Sequence, residues 1–321
     1  MPHAVRLGTR NSPLALAQSE LVAARLRQAG LTVELVPVVT QGDLHRGSLA
    51  AAAGTGLFVA ALRAALLEGR CDVAVHSLKD LPTYTTSGVM LAATPNRADP
   101  RDALCARRGH TLAELPPRAR VGTGSPRRAA QLRLRRPDLH IVDIRGNVGT
   151  RLARLQPQPD QLDAVVLAAA GLTRLGALDA ATEVFEPEVM LPAPGQGALA
   201  VECREADAGA SLHASLAELD DAATRAAVTA ERAVLARLEA GCSAPVGALG
   251  SVSRAGELEL RAIAIGPDGR PVHGRVHGAA SAAADLGTRL ADDLLAQDLR
   301  RGAPPTGSPA PGPEPGPRHA S

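Results

Sequence analysis

The chain has 321 residues, of which 45% are hydrophobic, 21% are charged and 1% are aromatic. This length predicts two or three domains. The low aromatic content predicts that their cores are aliphatic. The formal net charge of +2 does not indicate a nucleic-acid or membrane-surface partner. The first residues contain no basic segment followed by an apolar one, and no apolar run approaches the length of a membrane span. We therefore expect a cytoplasmic protein without a secretory signal.

The first part of the chain alternates strands with helices. A strand is predicted for HAVRLGT, followed by a helix that Ser12 can cap, with Pro13 at its first position and Gly30 after its last turn. A second strand is predicted for LTVELVPVV, a second helix for LFVAALRAALLEG, and a short buried strand for CDVAVHS, which leads into LKDLP. This alternation indicates a mostly parallel sheet covered by helices.

The same alternation resumes near Asp102 and continues to the strand predicted for APGQGALAVEC. From about Asp220 the pattern changes to a long helix, a loop containing CSAP, three strand-like runs and a final helix. The last residues are rich in proline and glycine and predict a disordered tail. The residues alone therefore predict an α/β fold with two α/β units and a smaller α+β unit.

Arginines and hydroxyl-bearing residues follow one predicted strand after another. In an open α/β sheet, ligands bind beyond the carboxyl ends of the strands. A single arginine there is usually a solvated surface charge, as we expect for RLRR at 133–136. The recurrence, however, predicts a cleft for a ligand with several anionic groups, because guanidinium groups bind carboxylates and phosphates bidentately. The positions are Arg10, His76, Ser77, Lys79, Asp80, Thr123, Ser125, Arg127, Arg128, Arg145, Arg151 and Arg174.

Phosphate competes with carboxylate as the group bound in this cleft. The chain has no G-x-x-x-x-G-K-[ST] motif, and its GTGS loop lacks both the G-x-G-x-x-G pattern and the acidic partner of dinucleotide sites. We therefore do not expect a nucleotide, while inorganic or sugar phosphate stays open at this point.

Lys79 is the only lysine of the chain, and it stands beside Asp80. Asp80 is either a structural residue, as an ion-pair partner or a cap, or a functional one that stabilises a developing cation or moves protons. The residues alone do not separate these two roles. Our hypothesis for the lysine is that a compact ammonium reaches one carboxylate in a crowded turn, where a planar guanidinium would grip Asp80 bidentately.

The four cysteines form no C-x-x-C pair, which argues against a zinc site and a disulfide framework. We expect Cys71, Cys105 and Cys203 to be buried, because they lie at the edges of apolar strand-like runs. Cys242 lies in LEAGCSAPVG, on a predicted loop, without a neighbouring general base. It is either a covalent attachment point or an incidental thiol.

Nine motifs, in order, resemble those of the porphobilinogen deaminase family, also called hydroxymethylbilane synthases. They are LGTRNSPLALAQ, GTGLFV, AVHSLKDLPT, RADPRDA, VGTGSPRR, IRGNVGTRL, AAAGLTRLG, LPAPGQGALAVECR and LEAGCSAPVGA. The resemblance implies three domains, the first two similar to those of periplasmic binding proteins, with mostly parallel sheets, and the third a small α+β domain that carries Cys242. The implied boundaries are residues 1–97 plus 195–217, residues 98–194 and residues 218–301, with 302–321 as the tail.

Members of this family condense four porphobilinogen molecules head to tail into linear hydroxymethylbilane and release ammonia at each addition. The resemblance implies a transferase of tetrapyrrole (haem) biosynthesis, primed by a dipyrromethane cofactor bonded to Cys242 through a thioether. It makes Asp80 the catalytic carboxylate that stabilises the azafulvene cation, Phe58 a contact of the lid, and Gln196 a residue near the hinge of the first two domains. The implied ligands of the cofactor and substrate carboxylates are Arg10, Ser12, Ser77, Lys79, Thr123, Ser125, Arg127, Arg128, Arg145, Gly146, Arg151 and Arg174. No metal is implied; the expected form is a monomer that passes its product to uroporphyrinogen-III synthase.

One departure concerns the loop before GLF, where many relatives have lysines and this chain has SLAAAAGTG. Two alternative functions share the predicted architecture: an anion-binding protein of the periplasmic type, and the effector-binding part of a transcription regulator. The missing signal peptide and Cys242 argue against the first. The missing helix-turn-helix segment and the low net charge argue against the second. Turnover of porphobilinogen separates the enzyme from both.

Overall fold

The computed structural model describes residues 4–38, 56–157, 159–208, 211–238 and 245–302, and within them it contains three β-sheets. The strands are β1 (Val5–Thr9), β2 (Val33–Pro37), β3 (Val73–Ser77), β4 (Val89–Ala93), β5 (Asp102–Ala106), β6 (Arg120–Gly122), β7 (His140–Val142), β8 (Ala164–Ala168), β9 (Glu183–Val184), β10 (Leu199–Arg204), β11 (Val246–Val252), β12 (Glu257–Ile265) and β13 (Pro271–Ala279). The helices are α1 (Pro13–Gln28), α2 (Gly56–Leu67), α3 (Pro126–Arg135), α4 (Val148–Ala153), α5 (Ala169–Arg174), α6 (Ser211–Ala217), α7 (Ala222–Arg237) and α8 (Ala283–Gly302).

The first sheet has the strand order β2-β1-β3-β10-β4. β1 pairs in parallel with β2 and β3, whereas β10 pairs antiparallel with β3 and β4. Four strands therefore run in one direction and β10 alone runs against them, which confirms the prediction of a mostly parallel sheet. The predicted start of α1 is also confirmed, because the Ser12 side chain accepts a hydrogen bond from Ala15 N at 3.2 Å and Pro13 is the first helical residue.

The second sheet repeats this arrangement with the order β7-β6-β8-β5-β9. β6 pairs in parallel with β7 and β8, and β5 is the strand that runs against its neighbours. The aliphatic core on one of its faces includes Leu104, Val121, Leu132 and Val166. Both sheets thus place the carboxyl ends of their parallel strands along one edge, where ligands of such sheets bind.

Two chain segments connect the first two sheets. The outgoing segment runs from β4 to β5, and the returning one runs from β9 to β10, which re-enters the first sheet. They contact each other where Ala98 N donates to Gly197 O at 3.3 Å. The return of β10 supports the implied split of the first domain, while the domain boundaries themselves stay a prediction.

The third sheet is an antiparallel meander of β11, β12 and β13. α7 and α8 pack against it around a core that includes Val234, Leu260 and Leu290. The two helices approach closely at Gly287, where a Cβ atom would lie 2.3 Å from the Ala230 carbonyl oxygen. This confirms the predicted α+β unit of one long helix, three strands and a final helix.

Cys71, Cys105 and Cys203 are buried, as predicted. Cys242 and the tail from 303 to 321 lie outside the described residues, as does the segment from 39 to 55. Among the helices that the structure describes, none is both long and apolar enough to cross a bilayer.

Candidate active site

The turn that follows β3 carries Lys79 and Asp80. It is a single 3-10 turn, Leu78–Asp80, closed by a hydrogen bond from Leu81 N to Leu78 O at 3.0 Å. Leu78 is fully buried, and its N–H donates to Ala198 O at 3.0 Å. The turn is therefore fixed to the sheet through Leu78, while Lys79 and Asp80 are only partly buried.

α7 of the third unit holds the far side of this turn. Arg232 donates from Nη1 to Leu81 O at 3.0 Å and from Nη2 to Pro82 O at 2.6 Å. Val228, one helical turn earlier, belongs to the same buried cluster as Leu78 and Leu81. The position of Asp80 thus depends on the helix that ends shortly before Cys242.

A small cavity of about 40 Å³ lies beyond the carboxyl ends of β1 and β3. It brings together four of the predicted positions, Arg10, His76, Ser77 and Asp80, with Gln18. Gln18 of α1 donates from Nε2 to Ser77 Oγ at 2.9 Å. Within the described residues Asp80 forms neither an ion pair nor a cap.

Lys79 is linked to the second unit through Gln196. Its Nζ donates to Gln196 Oε1 at 3.2 Å, and Gln196 Nε2 donates to Asp102 Oδ1 at 2.9 Å. Burial, and then the positive charge of Arg128, lower the pKa of Lys79 from its ordinary 10.5 to about 8. The carboxylates of Asp80 and Asp102 oppose this shift and favour the ammonium form.

Asp102 is a fully buried carboxylate between two of the predicted anion-binding arginines. Arg127 Nη1 lies 2.7 Å from Asp102 Oδ2, and Arg128 Nη2 lies 2.7 Å from Asp102 Oδ1. Burial alone would raise the pKa of Asp102, but the two guanidinium groups outweigh it and hold the pKa far below the usual value. The structure thus places Arg127 and Arg128 against the chain's own carboxylate, and their predicted role toward ligand carboxylates stays a prediction.

Arg127 and Arg128 also donate to backbone carbonyls, at Leu191 O and Val166 O. The loop before α3 supplies Thr123 and Ser125. The Thr123 hydroxyl accepts from Ser125 N at 3.2 Å, and the Ser125 hydroxyl caps α3.

The loop between β7 and α4 carries Arg145, Gly146 and Arg151. Arg145 is exposed and lies 3.2 Å from Asp143, while Arg151 donates from Nε to Gly146 O at 2.9 Å. Gly146 has φ +102°, a conformation that favours glycine. Burial, then Arg128 and Arg145, lower the pKa of Arg151, while Asp143 and then Asp80 oppose them. The Asp80 carboxylate of the first unit is therefore within electrostatic reach of Arg151 in the second.

Arg174 at the end of α5 donates to Gly197 O at 2.6 Å. Burial lowers its pKa to about 10, and its buried Nε has no hydrogen-bond partner in the structure as described. It forms no ion pair with any residue that the structure describes. A buried guanidinium group of this kind can donate hydrogen bonds to an anionic group of a ligand.

Some predicted site residues are not placed here. Cys242 and the side chain of Phe58 lie outside the described residues, and Ser12 caps α1.

The sequence interpretation missed Gln18, Asp102 and Arg232. Asp102 belongs to the RADPRDA motif, but its position at the start of a strand does not indicate that Arg127 and Arg128 pair with it. At 133–136, Arg136 is half-buried and donates to Leu115 O at 3.0 Å, so the expectation of a purely solvated run is wrong there.

A larger cavity of about 630 Å³ lies between α3, residues 187–191 and the third sheet. None of the predicted site residues lines it. Its arginines are engaged within the protein, as in the pair of Arg261 with Glu188 at 2.6 Å and that of Arg275 with Glu259 at 2.8 Å. The predicted site residues thus lie away from this cavity.

Comparison with known proteins shows the family of the chain. Residues 5–211 match the family model described as porphobilinogen deaminase, dipyromethane cofactor binding domain, and residues 225–296 match its C-terminal domain. A porphobilinogen deaminase of Acidothermus cellulolyticus is 56% identical over 310 residues, which cover 94% of this chain and 93% of that protein. One of Leifsonia xyli is 54% identical, over 95% of each chain.

Among solved structures, a periplasmic substrate-binding protein of Coxiella burnetii is similar in fold. The match covers 67% of this chain and 91% of that protein's chain, with 16% sequence identity and a TM-score of 0.40. On the family models and the curated relatives, the chain belongs to the porphobilinogen deaminase family.

Proposed function

We propose that the chain is a porphobilinogen deaminase. It condenses four porphobilinogen molecules into hydroxymethylbilane with release of ammonia, a transferase step of tetrapyrrole biosynthesis. The observation that carries this proposal is the position of Asp80, a carboxylate that forms no ion pair among the described residues and lines the small cavity with Arg10, His76 and Ser77. The family membership supports the same activity.

The residues of the cleft fit a dipyrromethane cofactor. Two joined porphobilinogen units carry acetate and propionate groups, and Arg174, whose buried Nε has no hydrogen-bond partner among the described residues, suits such a ligand. Cys242 is the proposed anchor. α7, which ends at Arg237 shortly before it, is fixed to the catalytic turn through Arg232. When bound, the cofactor supplies the chain end to which the first substrate is joined.

The remaining proposed ligands of the acetate and propionate groups are those that the resemblance implies: Arg10, Ser12, Ser77, Thr123, Ser125, Arg127, Arg128, Arg145 and Gly146. Guanidinium groups suit this role because they donate two parallel hydrogen bonds to one carboxylate. Their arrangement at the carboxyl ends of two sheets would orient the substrate's reacting carbon toward Asp80.

Asp80 is the proposed catalytic residue. When ammonia departs, the C–N bond breaks with its electron pair on nitrogen, and the substrate's pyrrole is left with a positive charge. A carboxylate fixed in place by the buried Leu78 and by Arg232 can offset that charge without moving. Among the residues that line the small cavity, Asp80 is the one carboxylate.

The experiment is turnover of porphobilinogen by the purified protein, with the linear tetrapyrrole product detected directly. Asp80→Asn, which keeps the shape and removes the charge, should lose most of the rate. The matched control is Asp285→Asn at the exposed start of α8, which should keep it. A wild-type protein that binds porphobilinogen and releases no ammonia would instead support the binding-protein alternative.

The expected oligomeric state is a monomer, which light scattering can measure. The expected compartment is the cytoplasm. The expected next enzyme is uroporphyrinogen-III synthase, which would receive the product.

A further inference from the structure

His76 is a buried titratable residue of the small cavity that the proposed function leaves without a role. It lies in β3, is 6% exposed, and lines the cavity with Ser77 and Asp80. Neighbouring positions of a strand face opposite sides of the sheet, and Ala74, two residues earlier, packs in the cluster of Leu62 of α2. His76 therefore lies on the α2 side of the sheet, at the cavity floor.

A buried carboxylate stands behind His76. Glu202 Oε2 of β10 lies 3.2 Å from His76 Nε2, within ion-pairing distance although the ring is not aligned for a straight hydrogen bond. Arg63 of α2 holds the same carboxylate with Nε at 3.0 Å and Nη2 at 2.6 Å. Its Nη1 donates to Thr86 Oγ1 at 2.7 Å. Glu202 is 3% exposed and Arg63 is 8% exposed, so the arrangement is built into the protein interior.

The charge of Glu202 determines what His76 can do. Burial alone would raise the pKa of Glu202, but the contacts from His76 and Arg63 lower it to about 2. Glu202 is therefore an anion at any working pH, and an anion next to Nε2 favours the tautomer with its proton on that nitrogen. The lone pair then lies on Nδ1, which has no hydrogen bond to any residue that the structure describes. His76 is thus arranged like a general base with an orienting carboxylate behind it.

The proposed reaction needs such a base, and this inference rests on the proposed function. Once the new C–C bond has formed, the α-carbon of the attacking pyrrole still carries its original hydrogen. The C–H bond must break, its electron pair returns to the ring, and the proton goes to a base. We propose that His76 takes this proton at Nδ1, with Glu202 and Arg63 as positioning residues. Asp80 meanwhile keeps its charge opposite the cationic substrate.

The groups around His76 are compatible with a transient imidazolium. Glu202 faces it from β10 and Asp80 shares its cavity, so two carboxylates lie near the added charge. The opposing cations are Arg63, which is engaged by Glu202, and Arg10 on the cavity wall. The other polar groups there, Gln18 and Ser77, are neutral. The base can then return its proton to solvent before the next addition.

The first test uses His76→Gln and porphobilinogen deuterated at its free α-carbon. Glutamine retains a donor near the position of Nε2 for Glu202 but has no basic nitrogen. We expect kcat to fall about 100-fold, the usual contribution of a general base, and a primary deuterium isotope effect to appear. The isotope effect belongs to the second and later additions, in which the labelled carbon reacts. His277→Gln on the exposed side of β13 is the matched control and should behave as wild type. A kcat within about threefold of wild type, or a fall without an isotope effect, would overturn the assignment.

The second test needs no substitution and no turnover. In ¹⁵N-histidine-labelled full-length protein, the His76 ring assigned through backbone connectivities should show a protonated Nε2 and an unprotonated Nδ1 at neutral pH. A ring protonated on Nδ1, or on both nitrogens, would contradict the proposal even if His76→Gln failed to fold. If wild type forms no product, the proposed function fails separately, and the tautomer still decides whether His76 can act as a base at this atom.

Discussion

Gln196 joins the turn of Lys79 to the buried Asp102. Its Oε1 accepts from Lys79 Nζ at 3.2 Å, and its Nε2 donates to Asp102 Oδ1 at 2.9 Å and to Pro100 O at 2.7 Å. One buried side chain therefore connects the turn that carries Asp80, after β3 of the first sheet, with the start of β5 in the second. A movement that separates the two units at this point would break hydrogen bonds of Gln196.

We expect Gln196→Met to lower the free energy of unfolding by about 1–3 kcal/mol, because methionine fills the space and leaves buried partners unsatisfied. Urea denaturation measures this change. The control is Gln28→Met at the exposed end of α1, which should change stability by less than about 0.5 kcal/mol. Equal effects of the two substitutions would show that the three hydrogen bonds contribute nothing to stability.

The pKa of Lys79 can be measured without interference, since no other lysine exists in the chain. Protein labelled with [ε-¹³C]lysine gives one side-chain signal. In the cofactor-free Cys242→Ser variant we expect it to titrate near pH 8 rather than 10.5. Loading of a cofactor whose carboxylates reach Lys79 should raise that midpoint, because an anion favours the ammonium form. An identical midpoint in loaded and unloaded protein would remove Lys79 from the set of cofactor ligands.

The lowered pKa of Lys79 also predicts how the free energy of unfolding depends on pH. The folded-state pKa of about 8 lies below the ordinary 10.5, so burial of the ammonium costs stability below about pH 8. Between these two values the unfolded chain binds more protons than the folded one, and stability rises with pH. The stability of wild type relative to Lys79→Met should therefore increase from about pH 8 to pH 10.5. A difference that is constant over this window would contradict the depressed pKa.

Glu231 of α7 connects three parts of the chain. It accepts from Arg97 Nη1 at 2.6 Å, from Gly195 N at 2.6 Å and from Gly250 N at 2.8 Å, and it is fully buried. Glu231→Gln leaves Arg97 without its counter-charge and should cost about 3–5 kcal/mol of stability. Glu20→Gln, which breaks an exposed pair with Arg27, should cost under about 1 kcal/mol. Chemical denaturation measures the free energy of unfolding of both variants. Similar losses in Glu231→Gln and Glu20→Gln would show that Glu231 does not stabilise the contact between these three parts of the chain.

Arg232 should affect turnover more than substrate affinity. Arg232→Met removes both hydrogen bonds to the turn of Asp80, and a small displacement of a reacting group lowers kcat about 10- to 100-fold. Arg232→Lys retains one donor and should recover part of the rate. Arg237→Met, at the exposed end of the same helix, is the control. A rise in KM with unchanged kcat would mean that Arg232 does not position the catalytic turn.

The elements and the strand-end residues were predictable because they depend on local patterns. Ser12 and Pro13 mark the start of α1 in any context, and alternation of strands and helices places Ser77 and Thr123 at the same kind of edge. Strand pairing was not predictable in this way. β9 has only two residues, Glu183–Val184, and the position of β10 between β3 and β4 depends on contacts over a hundred residues apart in sequence.

The charges that partner the site residues were also beyond a sequence interpretation. Asp102, Glu202 and Glu231 each look like an ordinary acidic residue in the chain. Their arginine partners, such as Arg63 for Glu202, become visible only when the fold brings distant elements together. Consequently the sequence predicted cations at the strand ends, whereas the buried carboxylates that partner some of them were missing from the predicted list.

The central claim is a covalent dipyrromethane on Cys242 that primes the condensation. The most direct measurement is the intact mass of the purified protein, wild type beside Cys242→Ser. Wild type should exceed the mass of its sequence by two joined pyrrole units, and Cys242→Ser should match the mass of its own sequence. If wild type shows the bare chain mass, and keeps it after incubation with porphobilinogen, the claim is contradicted.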